Sequence, residues 1–95
     1  MENRIELKFD KATTRLAGNP FGKAQYESQV KENIQVDKIN VIVFPQQIER
    51  VASSFVQGFF AEIIEKVGYA GFDDLIRIEA GNQQLADNIR SDLLV

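Results

Sequence analysis

Two adjacent hydroxyls, Ser53 and Ser54, stand directly before a strongly apolar segment with helical spacing. A serine at a helix start sits where free backbone N–H groups and the positive end of the helix dipole favour an anion. A phosphate placed there would add about −1.5 to −2 charges to the surface. The same position suits a plain N-cap, whose side chain satisfies one free amide and contributes roughly 1 kcal/mol. Sequence alone leaves both readings open. Arg15 lies in a polar loop between Thr14 and Gly18, either as a solvated side chain or as an anchor for a carboxylate or the sheet end. Gly58 falls inside the same helical segment, where glycine costs about 1 kcal/mol relative to alanine. It marks either a close approach, by a partner or by neighbouring backbone, or a tolerated defect. Gln46, Gln47, Glu49 and Arg50 precede the two serines and Gln57 follows them. With Arg15 and Gly58 they define a candidate partner surface around the 46–58 connection and helix start.

The remaining residue types exclude more chemistry than they suggest. The 95 residues contain no Cys, so disulfides, thiolate metal sites and cysteine nucleophiles are ruled out. They contain no His, so the chain lacks the commonest general base and cannot build a Ser-His-Asp triad. Glu49, Glu62, Glu65, Asp73, Asp74, Glu79, Asp87 and Asp92 are dispersed. The adjacent Asp73-Asp74 reads as a solvated loop rather than a cation site. Asn19-Pro20-Phe21-Gly22 lacks the phosphate-loop pattern. Net charge is −3 with the eleven Lys and Arg scattered, which disfavours nucleic acid. The chain is therefore expected to be non-enzymatic, with no cofactor and no metal. The start of the chain has no apolar signal region, and no apolar run approaches the roughly 20 residues of a membrane span, so a cytoplasmic location without membrane contact is expected.

A chain of this length and 44 % hydrophobic content suits one α/β domain. Ile5, Leu7 and Phe9 alternate with charged residues and predict a first strand. A short second strand at 13–17 is expected to form a hairpin with it. Asn19-Pro20 predicts a capped helix over about 20–34, with Tyr26, Val30 and Ile34 as its buried stripe. The β-branched run Ile39–Phe44 predicts a central strand covered on both faces, as in a parallel sheet, ended by Pro45. Ser53 or Ser54 is expected to cap the main helix, whose stripe is Phe55, Val56, Phe59, Phe60, Ile63, Ile64 and Val67, stopped by Gly68. Phe44 and Phe72 read as core or core edge. A strand over about 75–79 and a last helix capped by Asn82, burying Leu85, Ile89 and Leu93 with Ala86 and Leu94 beside them, complete the order. Strands alternating with helices require a mostly parallel or mixed sheet of three to four strands packed by three helices. The strand at 4–9 is expected at a sheet edge, where pairing with a second copy is open.

This order, with Ser-Ser opening the main helix, resembles the STAS fold of anti-sigma-factor antagonists. In that family a strand leads to a loop carrying Asp-Ser-Ser-Gly. Here Val41–Phe44 is the strand, and Ala52-Ser53-Ser54-Phe55 occupies the motif, with Ala in place of Asp and Phe in place of Gly. The chain more closely resembles a bacterial and phage family of STAS-like domains of unknown function. The matching residues are Arg15 and Gly18, Val41–Phe44, Ser54-Phe55, and Ile76-Arg77-Ile78 with Asn82, over about residues 4–94. Gln57 and Gly58 stand where those relatives often carry acidic residues. The resemblance implies a protein-interaction domain of partner-switching type that binds a kinase-like regulatory ATPase, with phosphorylation nearest Ser53 releasing the partner. Two other function classes compete: a phage or mobile-element effector that inhibits a host protein such as a defence nuclease, and a nucleotide-binding module.

Overall fold

The computed structural model describes residues 2–93. Leu94, expected beside the last helix's stripe, lies outside them. The elements run β1 (Glu2–Glu6), β2 (Arg15–Leu16), α1 (Asn19–Gln29), β3 (Ile39–Val43), β4 (Arg50–Val51), α2 (Ser53–Leu75), β5 (Ile76–Glu79) and α3 (Gln83–Asp92). The α/β class holds, with a parallel three-stranded sheet ordered β1-β3-β5 and a small parallel pair β2-β4.

The strand order explains which sheet face the helices cover. β1 to β3 and β3 to β5 each step one place in the same direction. Two right-handed crossovers in one direction leave their helices on a single face. On that face Ile5 pairs in register with Ile42, and Ile42 with Ile78. Ile5, Leu7, Ile42, Phe44 and Ile76 join the apolar residues of all three helices in one core cluster, with Ile78 packed against it. β3 is the central strand, as expected, and is buried at Asn40, Val41 and Ile42, while the helices lie on one face only. Val41 projects to the opposite face and stands outside that cluster, although only 3 % exposed. The side chains over it come from the flanking strands. Arg4 of β1 reaches across β3 to Glu79 of β5, with Nη1 2.7 Å from Oε2.

The hairpin expected between β1 and β2 does not form. β2 pairs instead with β4, Arg15 opposite Arg50 and Leu16 opposite Val51. The loops after β1 and β3 leave the same end of a parallel sheet and run side by side. This lets Leu16, 1 % exposed, reach the core from the loop.

α1 begins at Asn19 after Gly18, whose φ of +98° suits glycine, and no side chain caps it. The expected Asn19 cap is thus displaced by one residue. The helix also stops short of residue 34. The amides of Val30 and Lys31 both bond the Tyr26 carbonyl, each at 2.9 Å, and the Asn33 amide bonds the Val30 carbonyl at 2.8 Å. Val30 is nevertheless buried and Ile34 half-buried, so both pack on the core from a turn.

α2 carries the aromatic core. Phe55 and Phe59 stack at 5.4 Å, Phe60 meets Phe59 edge-on at 4.8 Å, and Phe72 meets Phe60 edge-on at 5.1 Å. Gly68, at φ +73° and ψ 175°, interrupts the helix as expected of a stop, but a second helical stretch then runs to Leu75 and buries Phe72. Val67, the last residue of the expected stripe, is exposed. α1 lies on α2 at glycine contacts. A Cβ on Gly22 would overlap the Phe55 carbonyl oxygen and come within 2.8 Å of the Phe59 nitrogen. A Cβ on Gly58 would overlap the Asn19 carbonyl oxygen. Of the readings open for Gly58, close approach of neighbouring backbone is the one observed. In α3 the Asn82 Oδ1 accepts from the Leu85 amide at 2.8 Å, the cap expected there, and Leu85, Ala86, Ile89 and Leu93 are buried.

Candidate functional site

In a parallel sheet with its helices on one face, every strand ends at the same edge and every crossover helix begins there. Open α/β sheets bind ligands at that carboxyl end. Here the end is formed by the 10–18 loop, the 45–52 connection with β4, the 80–82 turn, and the starts of α1, α2 and α3.

Backbone bonds tie the first two loops together. The amides of Glu49 and Arg50 donate to the Thr14 carbonyl at 2.7 and 3.3 Å, and the Ala52 amide donates to the Leu16 carbonyl at 2.8 Å. Leu16 and Ile48 anchor this ribbon in the core. Alternation along both strands then sends Arg15 and Arg50 outward together, as exposed cross-strand neighbours. Like charges directly opposite are unfavourable. No ion pair engages either arginine among the described residues. Beside them lies a concavity of about 470 Å³, lined by Arg15, Ala17, Glu49, Arg50, Leu85 and Asn88 among others.

The serines do not cap α2. The boundary residue is Ala52, extended at ψ 150°, and no side chain caps the helix. Ala52 is fixed in that role because its amide continues the β2–β4 ladder while its carbonyl accepts the Val56 amide at 3.1 Å. Ser53 and Ser54 are therefore the first helical residues. The Ser54 hydroxyl accepts the Gly18 amide at 3.0 Å, a bond that holds the α1 entry loop to α2. Ser53 is exposed, and no hydrogen bond engages its hydroxyl among the described residues.

The other expected surface residues divide between outside and inside. Glu49 and Arg50 are exposed on the ribbon, Gln46 is exposed before it, and Gln57 is exposed on α2. Gln47 turns inward, its Nε2 donating to the carbonyls of Asp10 at 2.6 Å and Thr13 at 3.2 Å. Gly58 is buried, its Cα position packed against the Asn19 backbone.

Two contributions escaped the sequence reading. Leu85 and Asn88 of α3 line the concavity. Asn40, fully buried near the start of β3, organises the opposite end of the sheet. It accepts from Asn3 Nδ2 at 2.8 Å and the Gln35 amide at 2.9 Å, and donates to the carbonyls of Gln35 at 2.8 Å and Lys38 at 3.0 Å. A lone amide inside a β-branched run was the signal that could have found it.

The perturbed titrating groups lie away from the ribbon. Hydrogen bonding to Arg4 holds the Glu79 carboxyl below its ordinary range, and Arg90, 2.5 Å from Asp73, does the same there. Burial, reinforced by Glu62, pushes the Tyr26 phenol up to about 12. Among the described residues no group of three or more carboxylates could hold a metal ion, and no helix is long and apolar enough to cross a membrane. No family model, no curated protein and no solved structure matches the chain.

Proposed function

We propose that this chain is a STAS-like protein-interaction domain of partner-switching type, acting in the cytoplasm on a kinase-like regulatory ATPase. The partner docks on the β2–β4 ribbon and the start of α2. The observation that carries the reading is the Arg15–Arg50 pair, two outward cations in cross-strand register, with the exposed Ser53 three positions after Arg50 in the chain. Each guanidinium is suited to bidentate contact with a carboxylate. An acidic patch on the partner would relieve the repulsion that the pair carries in the isolated domain.

Ser53 supplies the switch. A phosphate on its hydroxyl would bring about −1.5 to −2 charges to this surface and compete with the partner's carboxylates for the two arginines. Ser54 is less suited, because its hydroxyl already holds the Gly18 amide. The test is affinity capture from the source cell's lysate with wild type and Ser53→Asp side by side, and mass measurement of the bait. The reading expects an ATPase held by wild type and lost with Ser53→Asp, with phosphate on part of the wild-type bait. A partner held equally by both forms would refute the switch.

A further inference from the structure

The β2–β4 ribbon is one strand short of the sheet it rises from. β2 follows β1 and β4 follows β3 at the carboxyl end, so a third place falls to the chain after β5. That chain turns at 80–82 and begins α3 instead, and α3 lies against β4. The concavity of about 470 Å³ beside the two arginines is bounded here by Val51, Leu85 and Asn88.

The hydrogen bonds of the ribbon fix which way its backbone groups point. The Arg50 amide donates to the Thr14 carbonyl at 3.3 Å, and the Ala52 amide to the Leu16 carbonyl at 2.8 Å. In a parallel ladder a residue turns both its N–H and its C=O to the same neighbour. Arg50 and Ala52 therefore face β2, and Val51 turns both groups away from it. No hydrogen bond engages either Val51 group among the described residues, and Val51 is half-buried. Unpaired groups of this kind are a template for another chain. Side chains alternate with the same parity, Leu16 and Val51 inward, Arg15 and Arg50 outward. Leu85 is buried, and Asn88 is exposed on α3 with no hydrogen bond on its amide among the described residues.

We infer that an extended acidic segment of the partner adds to β4 as a third strand, antiparallel, with its central residue opposite Val51. Antiparallel pairing is the more stable per residue and lets a single residue exchange both bonds with Val51. The side chain of that residue turns inward with Val51, toward Leu85, which calls for an apolar one. Its two neighbours turn outward. One stands opposite Arg50, with Arg15 next across the ribbon, and calls for a carboxylate. The other stands opposite Ala52, at the uncapped start of α2, where the helix dipole also favours an anion. The backbone groups of both neighbours point on toward α3, where the Asn88 amide offers a donor and an acceptor. The occupant is thus a carboxylate–apolar–carboxylate segment held by main-chain bonds, the strand-addition mode of peptide recognition. Charge selects it because no ion pair engages Arg15 or Arg50 among the described residues, whereas Arg4 and Arg90 already hold Glu79 and Asp73. The inference rests on the ribbon being the docking surface and adds the form of what docks there.

The probe is the acetylated and amidated peptide Thr-Glu-Ile-Glu-Thr, titrated to about 10 mM into the isotope-labelled full chain and followed by amide NMR shifts. Saturable shifts are expected at the Val51 amide and the Asn88 side chain. The same peptide methylated on the Ile nitrogen keeps both charges and the apolar side chain but cannot donate to the Val51 carbonyl. It should bind at least about fivefold more weakly. A peptide with Lys in place of both Glu should give no saturable shift. Arg15→Glu/Arg50→Glu should weaken the Glu peptide at least about tenfold. Absence of a saturable shift at Val51 over the whole titration would overturn the inference, as would equal binding by the methylated peptide. If either result came with partner capture still lost on reversing the two arginines, the ribbon would stand as the docking surface and only strand addition would fall.

Discussion

Replacing Gly58 by alanine sets helix propensity against packing, and the structure says which prevails. Propensity favours alanine by about 1 kcal/mol at an interior helical position. A Cβ at residue 58, however, would overlap the Asn19 carbonyl oxygen and lie 2.9 Å from its carbonyl carbon and 3.0 Å from its Cα. Carbon–carbon contacts rest at about 3.5–4.0 Å, so these atoms must retreat by roughly 0.5–1 Å. All three are backbone atoms, so no side-chain rotation relieves the contact and the start of α1 has to move. Overpacking of this kind costs about 1–3 kcal/mol. The net expectation is a loss of up to about 2 kcal/mol, or up to roughly 15 °C in Tm for a domain of this size. Thermal unfolding followed by circular dichroism measures it. Gly22→Ala should behave alike, since its Cβ would meet the Phe59 nitrogen at 2.8 Å and the Phe55 carbonyl carbon at 3.2 Å. One retreat of α1 serves both sites, so the double variant should lose less than the sum. A higher Tm for Gly58→Ala, or strict additivity, would refute the close-contact account.

Three further outcomes are expected. Ser54→Ala should cost about 0.5–1.5 kcal/mol through the orphaned Gly18 amide, and Ser53→Ala under about 0.5 kcal/mol, a contrast that chemical denaturation resolves. Asn40→Ala removes the hydrogen bonds that a fully buried side chain makes to Asn3, Gln35 and Lys38 and should destabilise by roughly 3 kcal/mol in the same assay. Tyr26 has a folded-state value near 12 against an ordinary 10, so the fold favours the neutral phenol. Its contribution is complete below pH about 10 and is lost as pH rises through about 12. That loss, up to roughly 2–3 kcal/mol, should be missing from the alkaline denaturation profile of Tyr26→Phe.

The elements that could be read from sequence are those whose burial follows a local period. The Phe55–Ile63 stripe, the Ile39–Phe44 run and the Asn82 cap each carry their signal within a few residues. The β2–β4 pairing could not be read, because two-residue strands have no period and their partner is set by the order of strands in the larger sheet. The end of α1 was misjudged for a related reason. Tyr26, Val30 and Ile34 all face the core, but the last two do so from a turn, and spacing of apolar residues does not distinguish a turn from a helix. Val41 shows the same limit on β3. Burial under Arg4 and Glu79 leaves the same apolar residue in the sequence as burial under a helix would.

At the candidate site, residue type pointed to the right neighbourhood without sorting inside from outside. Arg15, Glu49, Arg50 and Ser53 are exposed at the carboxyl end of the sheet. Gln47 and Gly58, equally polar or small in sequence, serve the loop and the helix contact. Only three-dimensional pairing makes Arg15 and Arg50 neighbours, since thirty-five positions separate them in the chain.

Quantitative capture by an Arg15→Glu/Arg50→Glu variant, run beside wild type on the same lysate with folding verified by circular dichroism, tests the central claim most directly. Reversing both cations on an exposed two-residue ribbon should leave the fold intact and lower recovery of the proposed ATPase partner at least about tenfold, the equivalent of about 1.4 kcal/mol. Equal recovery by the two forms would contradict the assignment of this ribbon as the docking surface.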